Sequence, residues 1–427
     1  MSEKKTVIVA GAGFGGLEAV KKLIKDKRLE IIWIDRNNHH LFQPLLYQIA
    51  SAVLSPADIA IPARSITRKR SNVTVIMDEI TGIDKKNREV ILGDRKLRYD
   101  YLILALGART GYFGNNQWKE HTSGLKSLTD ALQIRRRLLL SFEEAENHPN
   151  DADRLLNYVI VGGGPTGVEL AGSIAELSHR IIRNDFRNID TSKAKITLIE
   201  AGSDLLATFD RTLSVYTKLA LEKRGVTVML NTRVKEITDH SLLLKTLEGE
   251  RTITANIIIW AAGVEAVPLT TQLDEKLDRQ KRILVNENCS LDDNPEIFVV
   301  GDIAAFRDPS GKFLPGVGPV AMQQGRHSAR QIRRDLSGKP REKFHYFDKG
   351  NMATIGRKDA VAEFKGYKMK GFLGWLAWLV VHLFYQVGFK NKLNILLTWI
   401  WSYFTFGAGA RVITDPIPYK GNEVTSK

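Results

Sequence analysis

The sequence contains a single cysteine, Cys289, among its 427 residues. One cysteine excludes an intramolecular disulfide and a paired-cysteine redox centre, and it favours a protein that works in a reducing compartment. No cluster of cysteine and histidine has the spacing of metal ligands, and the adjacent His39 and His40 are expected in a loop. The sequence therefore predicts no metal site and a structural role for Cys289.

Acidic residues are too few to balance the basic ones: 62 lysines and arginines face 48 aspartates and glutamates, which gives a net charge of +14. Such an excess suits nucleic acid, an acidic protein or an anionic membrane as a partner. The basic runs at 64–70, 135–137 and 330–334 lack the interleaved aromatic residues that stack on bases. We therefore expect no nucleic-acid partner and interpret these runs as solvated or membrane-facing surface.

A glycine-rich fingerprint follows the first predicted strand, Val7 to Ala10. Gly11, Gly13 and Gly16 have the G-x-G-x-x-G spacing and precede a helical pattern. In such a βαβ unit the first glycine makes the turn, the second lets the backbone approach a pyrophosphate, and the third allows close packing of the helix. The next strand ends in Asp35, which is placed to accept hydrogen bonds from a ribose diol.

The same pattern recurs about 150 residues later in the chain. Gly162, Gly164 and Gly167 follow a second apolar strand, and a further strand ends in Glu200. Glu200 comes 33 positions after Gly167, more than the usual separation of about 20, because a basic stretch at 179–193 intervenes. We interpret that stretch as an extended helix and loop, so the sequence predicts two complete dinucleotide-binding units.

Three further apolar strands set the expected order of the domains. Two of them, at 99–108 and 255–264, follow the two fingerprint units, and the third, at 294–306, carries Gly301 and Asp302. Alternating strands and helices indicate an α/β protein with two Rossmann-like dinucleotide-binding domains, the second inserted in the first. The expected segments are a first domain at 1–115 and 271–350, a connecting segment at 116–154, an inserted domain at 155–270 and a C-terminal region at 351–427.

Long apolar runs are concentrated near the C-terminus, in a tail. Residues 371–389 carry no formal charge, and a second apolar run extends from Leu393 to Ala410. Four of the seven tryptophans lie in this tail, and indole rings favour the membrane interface. Basic residues flank both runs, as suits helices that lie on an anionic membrane surface, at positions 365, 368, 370, 390, 392 and 411.

We expect these two helices to form a monotopic membrane anchor. In a spanning hairpin Lys390 and Lys392 would lie on the far side of the membrane from the enzyme, which opposes the positive-inside tendency. A helical pair buried in the interface of a homodimer is the alternative interpretation, since tryptophan-rich helices also pack protein cores.

The two fingerprints and the Gly301-Asp302 motif resemble the two-dinucleotide flavoprotein superfamily over residues 5–330. A closer resemblance, to type II NADH:quinone oxidoreductases, rests on four stretches: FQPLLYQIASAVLSPADIAIP (42–62), GVGPVAMQQGRHSA (316–329), KGNMATIGRKDAV (349–361) and the tail at 375–411. With these stretches the resemblance covers nearly the whole chain.

The resemblance implies that the first domain holds FAD and that the inserted domain binds NADH. Asp302 would bind the ribityl and pyrophosphate region of FAD, and Glu200 on the adenosine ribose would disfavour the 2′-phosphate of NADPH. A hydride would pass from NADH to FAD, and two electrons with two protons would then go to a membrane quinone. No array of transmembrane helices is evident in the sequence, so proton pumping is not expected.

The same resemblance implies three catalytic residues. Glu169 would lie near the nicotinamide and the flavin, although the helix dipole also favours a carboxylate in a first turn. Gln323 and Gln324 match a family segment that borders the flavin ring and the quinone pocket, and which of them reaches the quinone stays open. Lys349 and His382 are further candidates outside this set; for His382 a buried, hydrogen-bonded structural role is the favoured interpretation.

Two other functions fit parts of the sequence. A soluble reductase that feeds acidic ferredoxin would explain the net charge but not the apolar tail. A redox-sensing flavoprotein with a basic binding surface, similar to apoptosis-inducing factor, would explain the net charge and the shortage of cysteine. The first strand is predicted to begin by Thr6, which leaves no room for a leader, and the expected location is the cytoplasmic face of the cell inner membrane.

Overall fold

The computed structural model describes residues 4–405 and 409–413, so the end of the C-terminal region expected at 351–427 lies outside the described residues. Its first sheet consists of five parallel strands, and most apolar side chains of its central strands are buried on both faces, as in other parallel sheets covered by helices. In spatial order these strands are Ile297–Val299, Tyr101–Leu104, Lys5–Ala10, Leu29–Asp35 and Val73–Met77.

The first sheet is built from two separate parts of the chain. Ile297 pairs with Leu102, so a strand from the second half completes a sheet that began at the N-terminus. Helix Gly318–Asp335 then packs against the first helix, and the contact is so close that a Cβ at Gly325 would lie 2.1 Å from the carbonyl oxygen of Gly15. The first α/β unit is therefore interrupted by the second.

The second sheet also has five parallel strands, in the order Ser123–Gly124, Ile257–Trp260, Asn157–Val161, Lys195–Ile199 and Val226–Met229. Its edge strand and helix Leu128–Asn147 come from the segment expected only to connect the domains. That helix buries Ile134, Leu138 and Phe142 in the same core as Tyr158. Its apolar side chains need a partner surface, and the second sheet supplies it.

Smaller elements complete the fold. Three antiparallel three-stranded sheets comprise Gly82–Asp84, Glu89–Leu92 and Arg95–Arg98; Arg233–Ile237, Ser241–Thr246 and Gly249–Thr254; and Asn351–Gly356, Asp359–Phe364 and Tyr367–Lys370. The two-stranded pairs are His39–Leu41 with Ala60–Pro62, Ala108–Thr110 with Val264–Ala266, and Ile283–Leu284 with Ala304–Ala305.

The α-helices are Phe14–Leu23, Leu46–Ala50, Pro56–Ile59, Ala63–Thr67, Leu128–Asn147, Ala152–Leu155, Pro165–Glu176, Arg211–Glu222, Gly318–Asp335, Gly371–Tyr385 and Phe389–Thr405. A single π-helical turn, Leu177–Ile181, prolongs the second fingerprint helix.

The expectation of a loop at His39 and His40 is wrong. Both residues lie in a short strand, in which His40 pairs with Ile61. The ring of His40 is buried, and its Nδ1 bonds the carbonyl oxygen of Ala12 at 2.7 Å. Burial lowers the pKa of His40 to about 4, so the ring is neutral and donates its Nδ1–H to the first glycine loop.

Two tail helices, Gly371–Tyr385 and Phe389–Thr405, follow the C-terminal sheet. The first of them approaches the sheet closely, since a Cβ at Gly374 would lie 2.4 Å from the carbonyl oxygen of Ala360. Trp375, Trp378 and Trp399 point inward and join the largest hydrophobic core of the protein. The tail helices therefore contribute side chains to the hydrophobic core of the protein as well as to its surface.

Candidate active site

The first fingerprint forms a tight turn between the first strand and the helix that follows it. Gly11 has a φ of +110°, and a Cβ there would lie 2.2 Å from the carbonyl oxygen of Ala105. A Cβ at Gly16 would lie 1.9 Å from the carbonyl oxygen of Gly11, so neither position accepts a side chain. Gly13 has no atom within 4 Å of an added Cβ, and its backbone faces open space at the helix N-terminus. A pyrophosphate fits that opening, where helix amides can donate to it.

The second fingerprint repeats this geometry. Gly162 has a φ of +114°, and a Cβ there would lie 2.7 Å from the backbone of Ala261. A Cβ at Gly167 would lie 1.9 Å from the carbonyl oxygen of Gly162, whereas one at Gly164 would meet no atom within 4 Å. Two separate glycine loops thus have equivalent geometry, each with an open cradle at its middle glycine.

In each βαβ unit, an acidic residue at the end of the second strand forms a hydrogen bond to the glycine loop. Oδ2 of Asp35 accepts a hydrogen bond from the N–H of Ala12 at 2.6 Å. Oε2 of Glu200 accepts one from the N–H of Gly163, also at 2.6 Å. Each carboxylate therefore lies beside its own glycine loop, which is where the ribose of a dinucleotide would lie. Bonds from these carboxylates to ribose stay a prediction.

Gly301 and Asp302 form a short 3-10 turn after the strand that completes the first sheet. Gly301 has a φ of +74°, which favours glycine, and its N–H donates to Oε1 of Gln324 at 2.8 Å. The Asp302 carboxylate lines a cleft together with Arg282 and Gly316. In the described part of the chain this carboxylate forms no hydrogen bond, so both oxygens can accept from hydroxyl donors.

The two adjacent glutamines have different surroundings. Nε2 of Gln323 donates to the carbonyl oxygen of Phe347 at 2.9 Å, and Oε1 accepts from the N–H of Phe347 at 3.0 Å. Gln324 is fully buried and bonds the Gly301 amide. The structure thus brings Gln324 against the Gly301-Asp302 turn and ties Gln323 to a loop, while the catalytic roles of both stay predictions.

Glu169 is the fifth residue of helix Pro165–Glu176, and only 9% of it is exposed. The first turn of this helix contains no acidic residue, so the interpretation of Glu169 as a first-turn carboxylate is wrong. The N–H of Thr354 points at its Oε1 over 3.4 Å, at the long end of the hydrogen-bond range. Burial raises the pKa of Glu169 to about 8, and the bond from Thr354 opposes that shift. The carboxyl group is therefore protonated at neutral pH and can donate a proton.

The polar residues that connect Glu169 to the tail were not predicted from the sequence. The hydroxyl groups of Tyr47 and Thr354 lie 3.0 Å apart, and Nε2 of Gln48 donates to the Tyr47 oxygen at 2.9 Å. Nε1 of Trp399 donates to Oε1 of Gln48 at 2.8 Å. The available signal was the polar pair Tyr47-Gln48 within an apolar stretch, because buried polar groups require partners.

Lys349 and His382 both contact tail aromatic rings. The ammonium group of Lys349 donates to the hydroxyl of Tyr385 and lies 4.6 Å from the centre of its ring. The ring of His382 stacks on Trp378 at 4.3 Å, and its Nδ1 bonds the Trp378 carbonyl oxygen at 2.8 Å. Burial lowers the pKa of His382 to about 4, which supports the hydrogen-bonded structural interpretation.

Cys289 is completely buried, in a small core that includes Phe306, Leu314 and Phe344. Burial raises the pKa of its thiol well above the usual value. A buried, protonated thiol is a poor nucleophile, which agrees with the structural role expected for this residue. Electrons from a bound flavin therefore have no cysteine pair to pass through.

The tail helices also present an apolar surface outward. This tail face comprises ten residues that are 43 to 83% exposed, namely Phe372, Leu373, Leu376, Val380, Phe384, Phe389, Leu393, Leu397, Ile400 and Trp401. Ten such side chains on two adjacent helices exceed the scattered apolar residues of an ordinary surface. Within residues 4–405 and 409–413 no helix is both long and apolar enough to cross a membrane.

The expectation that the tail tryptophans mark a membrane interface is wrong for three of the four. Trp375, Trp378 and Trp399 are at most 8% exposed, and only Trp401 reaches the surface, with 67% exposed. The first tail helix packs against the C-terminal sheet, and Trp399 lies against Trp378 and donates to Gln48, so these three indoles are buried in the protein and do not reach a membrane interface. The flanking charges are also divided, because Lys368 and Arg411 form ion pairs with Asp210 and Asp185.

Comparisons with known proteins agree over nearly the whole chain. The pyridine nucleotide-disulphide oxidoreductase family model matches residues 5–325, and the NDH2 C-terminal domain model matches residues 349–407. The chain is 40% identical over 423 residues to the type II NADH:quinone oxidoreductase Ndh of Mycobacterium tuberculosis, covering 96% of this chain and 90% of that protein. It is 30% identical over 375 residues to the type II NADH:quinone oxidoreductase of Staphylococcus aureus, covering 86% and 92%.

Solved structures share the fold. NDH2 from Plasmodium falciparum, determined in complex with NADH, superposes with a TM-score of 0.86 at 21% identity and covers 94% of this chain and 99% of that one. The sulfide:quinone oxidoreductase of Aquifex aeolicus superposes with a TM-score of 0.74 at 18% identity, covering 94% and 95%.

Proposed function

Because the chain belongs to the type II NADH:quinone oxidoreductases, it is an enzyme that oxidises NADH and reduces a quinone, and we propose which of its residues bind each cofactor and which transfer protons. FAD, when bound, accepts a hydride equivalent from NADH and supplies two electrons to the quinone. The observation that carries the proposal is the duplicated glycine loop, with one open cradle at Gly13 and another at Gly164. Two cradles can hold two dinucleotides at once.

The first cradle is proposed to hold FAD. Gly11 and Gly16 keep the turn tight, Gly13 admits the pyrophosphate, and Asp35 accepts from the adenosine ribose. Asp302 would accept hydroxyl hydrogen bonds from the ribityl chain, and such charge-assisted bonds are among the stronger ones. Gln324 supports this assignment indirectly, because it fixes the backbone of the Gly301-Asp302 turn from beneath.

The second cradle is proposed to bind NADH through Gly162, Gly164 and Gly167. Glu200 would accept from the adenosine ribose, and its negative charge would repel the 2′-phosphate that distinguishes NADPH. Because Glu200 already holds the Gly163 amide, the same carboxylate both shapes the loop and selects the nucleotide.

Glu169 is proposed to donate a proton when the quinone is reduced. The raised pKa supports this role, because a donor must be protonated at the working pH yet able to release its proton. Gln323 is proposed to act less directly, by fastening the loop at Phe347 that leads to Lys349. The hydrogen bond from Lys349 to Tyr385 in turn links that loop to the first tail helix.

The tail face is proposed to lie in the surface of an anionic membrane, so that a lipid-soluble quinone can be drawn directly from the bilayer. Helices that expose a broad apolar face while burying the other against the protein are typical of monotopic attachment. The membrane would be the cell inner membrane, with the enzyme on its cytoplasmic face, where NADH is available.

A cationic rim beside the tail supports the choice of an anionic surface. The turn between the tail helices is fastened to residues 57–58, since Gln386 and Asn391 donate to backbone carbonyls there. The next helix begins the basic run, whose four cations are exposed and form no ion pair in the described part of the chain, namely Arg64, Arg68, Lys69 and Arg70. Each cation near an anionic surface contributes about 1 kcal/mol of attraction.

We expect the triple variant Leu373→Gln, Phe384→Gln, Phe389→Gln to bind anionic vesicles about 100-fold more weakly than the wild type. Burying a large apolar side chain contributes about 1.5–3 kcal/mol, so three partly inserted ones account for about 3 kcal/mol. The three positions are 67, 70 and 83% exposed, so the fold should persist. Vesicle sedimentation at several lipid concentrations measures the effect.

The matched control replaces exposed apolar residues elsewhere, at Met77, Leu219 and Leu247, and should bind as the wild type does. Replacing Arg64, Arg68, Lys69 and Arg70 by glutamine should weaken binding to anionic vesicles at least about tenfold and leave binding to neutral vesicles unchanged. If the tail-face variant binds vesicles normally but changes from dimer to monomer, the tail face is a homodimer interface and the membrane assignment fails.

A further inference from the structure

The described side chains form a continuous hydrogen-bonded chain from the second tail helix to the strand that contacts Glu169. Its members are Trp399, Gln48, Tyr47 and Thr354, each at most 7% exposed. The contacts join residues up to 351 positions apart in sequence. Because these polar groups are buried, each hydrogen bond between them constrains the position of the next group in the chain.

The chemistry of the members fixes the direction of the hydrogen bonds from Trp399 to Tyr47. An indole N–H only donates, so Trp399 forces the oxygen of the Gln48 side-chain amide to face it. The NH₂ group of Gln48 must then face Tyr47 and donate to its oxygen. The Tyr47 oxygen, which accepts from Gln48, lies 3.0 Å from Oγ1 of Thr354, and either hydroxyl can donate in that bond. Trp399 therefore fixes the orientation of the Gln48 amide and, through it, the position of the Tyr47 hydroxyl beside Thr354.

Thr354 is the residue through which this chain meets Glu169. Its hydroxyl shares a hydrogen bond with that of Tyr47, and its backbone N–H donates to Oε1 of Glu169. A hydrogen bond from an N–H to a carboxylate favours the charged form, and at 3.4 Å a small displacement of Thr354 would break it. The position of Thr354 thus affects how readily Glu169 gives up its proton.

Among the described residues, no charged group shifts the pKa of Glu169. The ion pairs Arg357–Glu176 and Arg224–Asp359 lie beside its helix. The other titratable groups on the elements packed against that helix are Tyr47, Tyr158, His179, Arg180, Lys195, Arg211, Tyr216, Lys218 and Glu222. Apart from burial, the bond from Thr354 is the single influence on the carboxyl group.

We propose that Trp399 is a positioning residue for quinone reduction, acting through Gln48, Tyr47 and Thr354 to set the proton affinity of Glu169. The tail is then more than an anchor, because the helix that carries exposed Trp401 and the tail face also carries Trp399 on its buried side. The inference rests on the proposed role of Glu169 as the proton donor.

The tail provides a matched control for this inference. Trp378 lies on the first tail helix with its ring 5.3 Å from that of Trp399, and both indoles are at most 2% exposed. Its Nε1 has no hydrogen-bond partner among the described residues. Replacing either tryptophan by phenylalanine removes the same atoms and leaves a comparable gap, but only Trp399→Phe removes a donor of the chain.

The test is the pH profile of kcat with a short, water-soluble quinone, so that membrane binding does not contribute. Trp399→Phe and Tyr47→Phe should each move the alkaline limb upward by about 0.5–1 pH unit, because losing an ordered N–H bond to the carboxylate raises its pKa. Trp378→Phe should leave the limb in place. The combination of Trp399→Phe with Tyr47→Phe should shift it no further than either alone, since both act through Thr354.

Melting temperatures of the two phenylalanine variants should agree within a few degrees, which removes general destabilisation as an explanation. If Trp399→Phe has the profile of Trp378→Phe while Glu169→Gln abolishes the limb, the positioning role is rejected and the role of Glu169 stands. If Glu169→Gln itself leaves the limb unchanged, the proposed proton donor is wrong and this inference falls with it.

Discussion

Glu169→Gln is expected to lower the rate of quinone reduction about 100-fold while flavin reduction by NADH stays within a few-fold of the wild type. Glutamine preserves the size of the side chain and can still accept the Thr354 N–H, but it has no proton to give. General acid catalysis typically contributes a factor of about 10² to 10⁴. Stopped-flow measurement separates the two half-reactions, and a variant that retains more than half of the quinone rate would contradict the assignment.

The pH dependence of the wild type provides an independent check on Glu169. With a pKa of about 8, the carboxyl group is protonated below that pH, so kcat for quinone reduction should be high at pH 6 and fall through pH 8. In the unfolded chain the pKa is near 4.5, so the folded protein holds an extra proton between pH 4.5 and 8. Stability contributed by this group is therefore complete below pH 4.5 and is lost as pH rises through 8. Glu169→Gln should show a smaller fall in melting temperature from pH 5 to 9.

Gly13→Ala is expected to leave the fold intact and lower the affinity for FAD at least about tenfold. The φ of Gly13 is −70°, which alanine adopts without strain, and the added methyl group meets no protein atom within 4 Å. The methyl group would instead occupy the space through which a pyrophosphate approaches the helix amides, and about 1.4 kcal/mol of steric conflict already gives a factor of ten. Flavin content after gel filtration and FAD titration of the apoprotein measure the loss.

The second loop offers a reciprocal control. Gly164→Ala should retain FAD and raise KM for NADH by a similar factor, because its added methyl group likewise meets only open space. Gly16→Ala should fail to fold properly, since its Cβ would lie 1.9 Å from the Gly11 carbonyl oxygen. Full flavin content in Gly13→Ala would contradict the assignment of FAD to the first cradle. If Gly164→Ala also lost its flavin, FAD would instead be assigned to the second cradle.

The glycine loops were predictable from the sequence because their requirements are local. A positive φ at Gly11 and Gly162 and the close approach at Gly16 and Gly167 depend on atoms within one βαβ unit. The periodicity of apolar residues, the spacing of the glycines and the residue types therefore suffice to locate the glycine loops. The return of the chain to the first sheet was also predictable, because the strand before Gly301 repeats the pattern of a buried parallel strand.

The surroundings of Glu169 were not predictable in this way. Thr354 lies 185 residues from Glu169, and Tyr47 lies 307 residues from Thr354, so only the packing of three separate regions brings them together. Gln323 and Gln324 show that closeness in sequence does not predict a shared environment either. Their adjacency suggested a shared role, but successive helical positions point about 100° apart, and the two side chains reach different partners.

In the tail, one feature was predictable from the local sequence and another depended on long-range packing. Its apolar runs predicted two helices, yet a helix that is apolar on all sides does not reveal which side faces the protein. The C-terminal sheet decides this, because Gly374 permits close approach and directs Trp375 and Trp378 inward. The exposed surface of the tail consists mainly of aliphatic and phenylalanine side chains, with Trp401 as its one tryptophan among the described residues.

The most direct test of the account compares two quinones in vesicles that contain anionic lipid, using the wild type and the Leu373→Gln, Phe384→Gln, Phe389→Gln variant. NADH-driven reduction of a long-chain quinone held in the bilayer is expected to fall at least about tenfold in the variant, because three apolar side chains of the tail face no longer insert. Reduction of a short, soluble quinone should stay within about twofold, since the cradles and Glu169 are untouched. Equal rates with the long-chain quinone for both proteins would contradict the account.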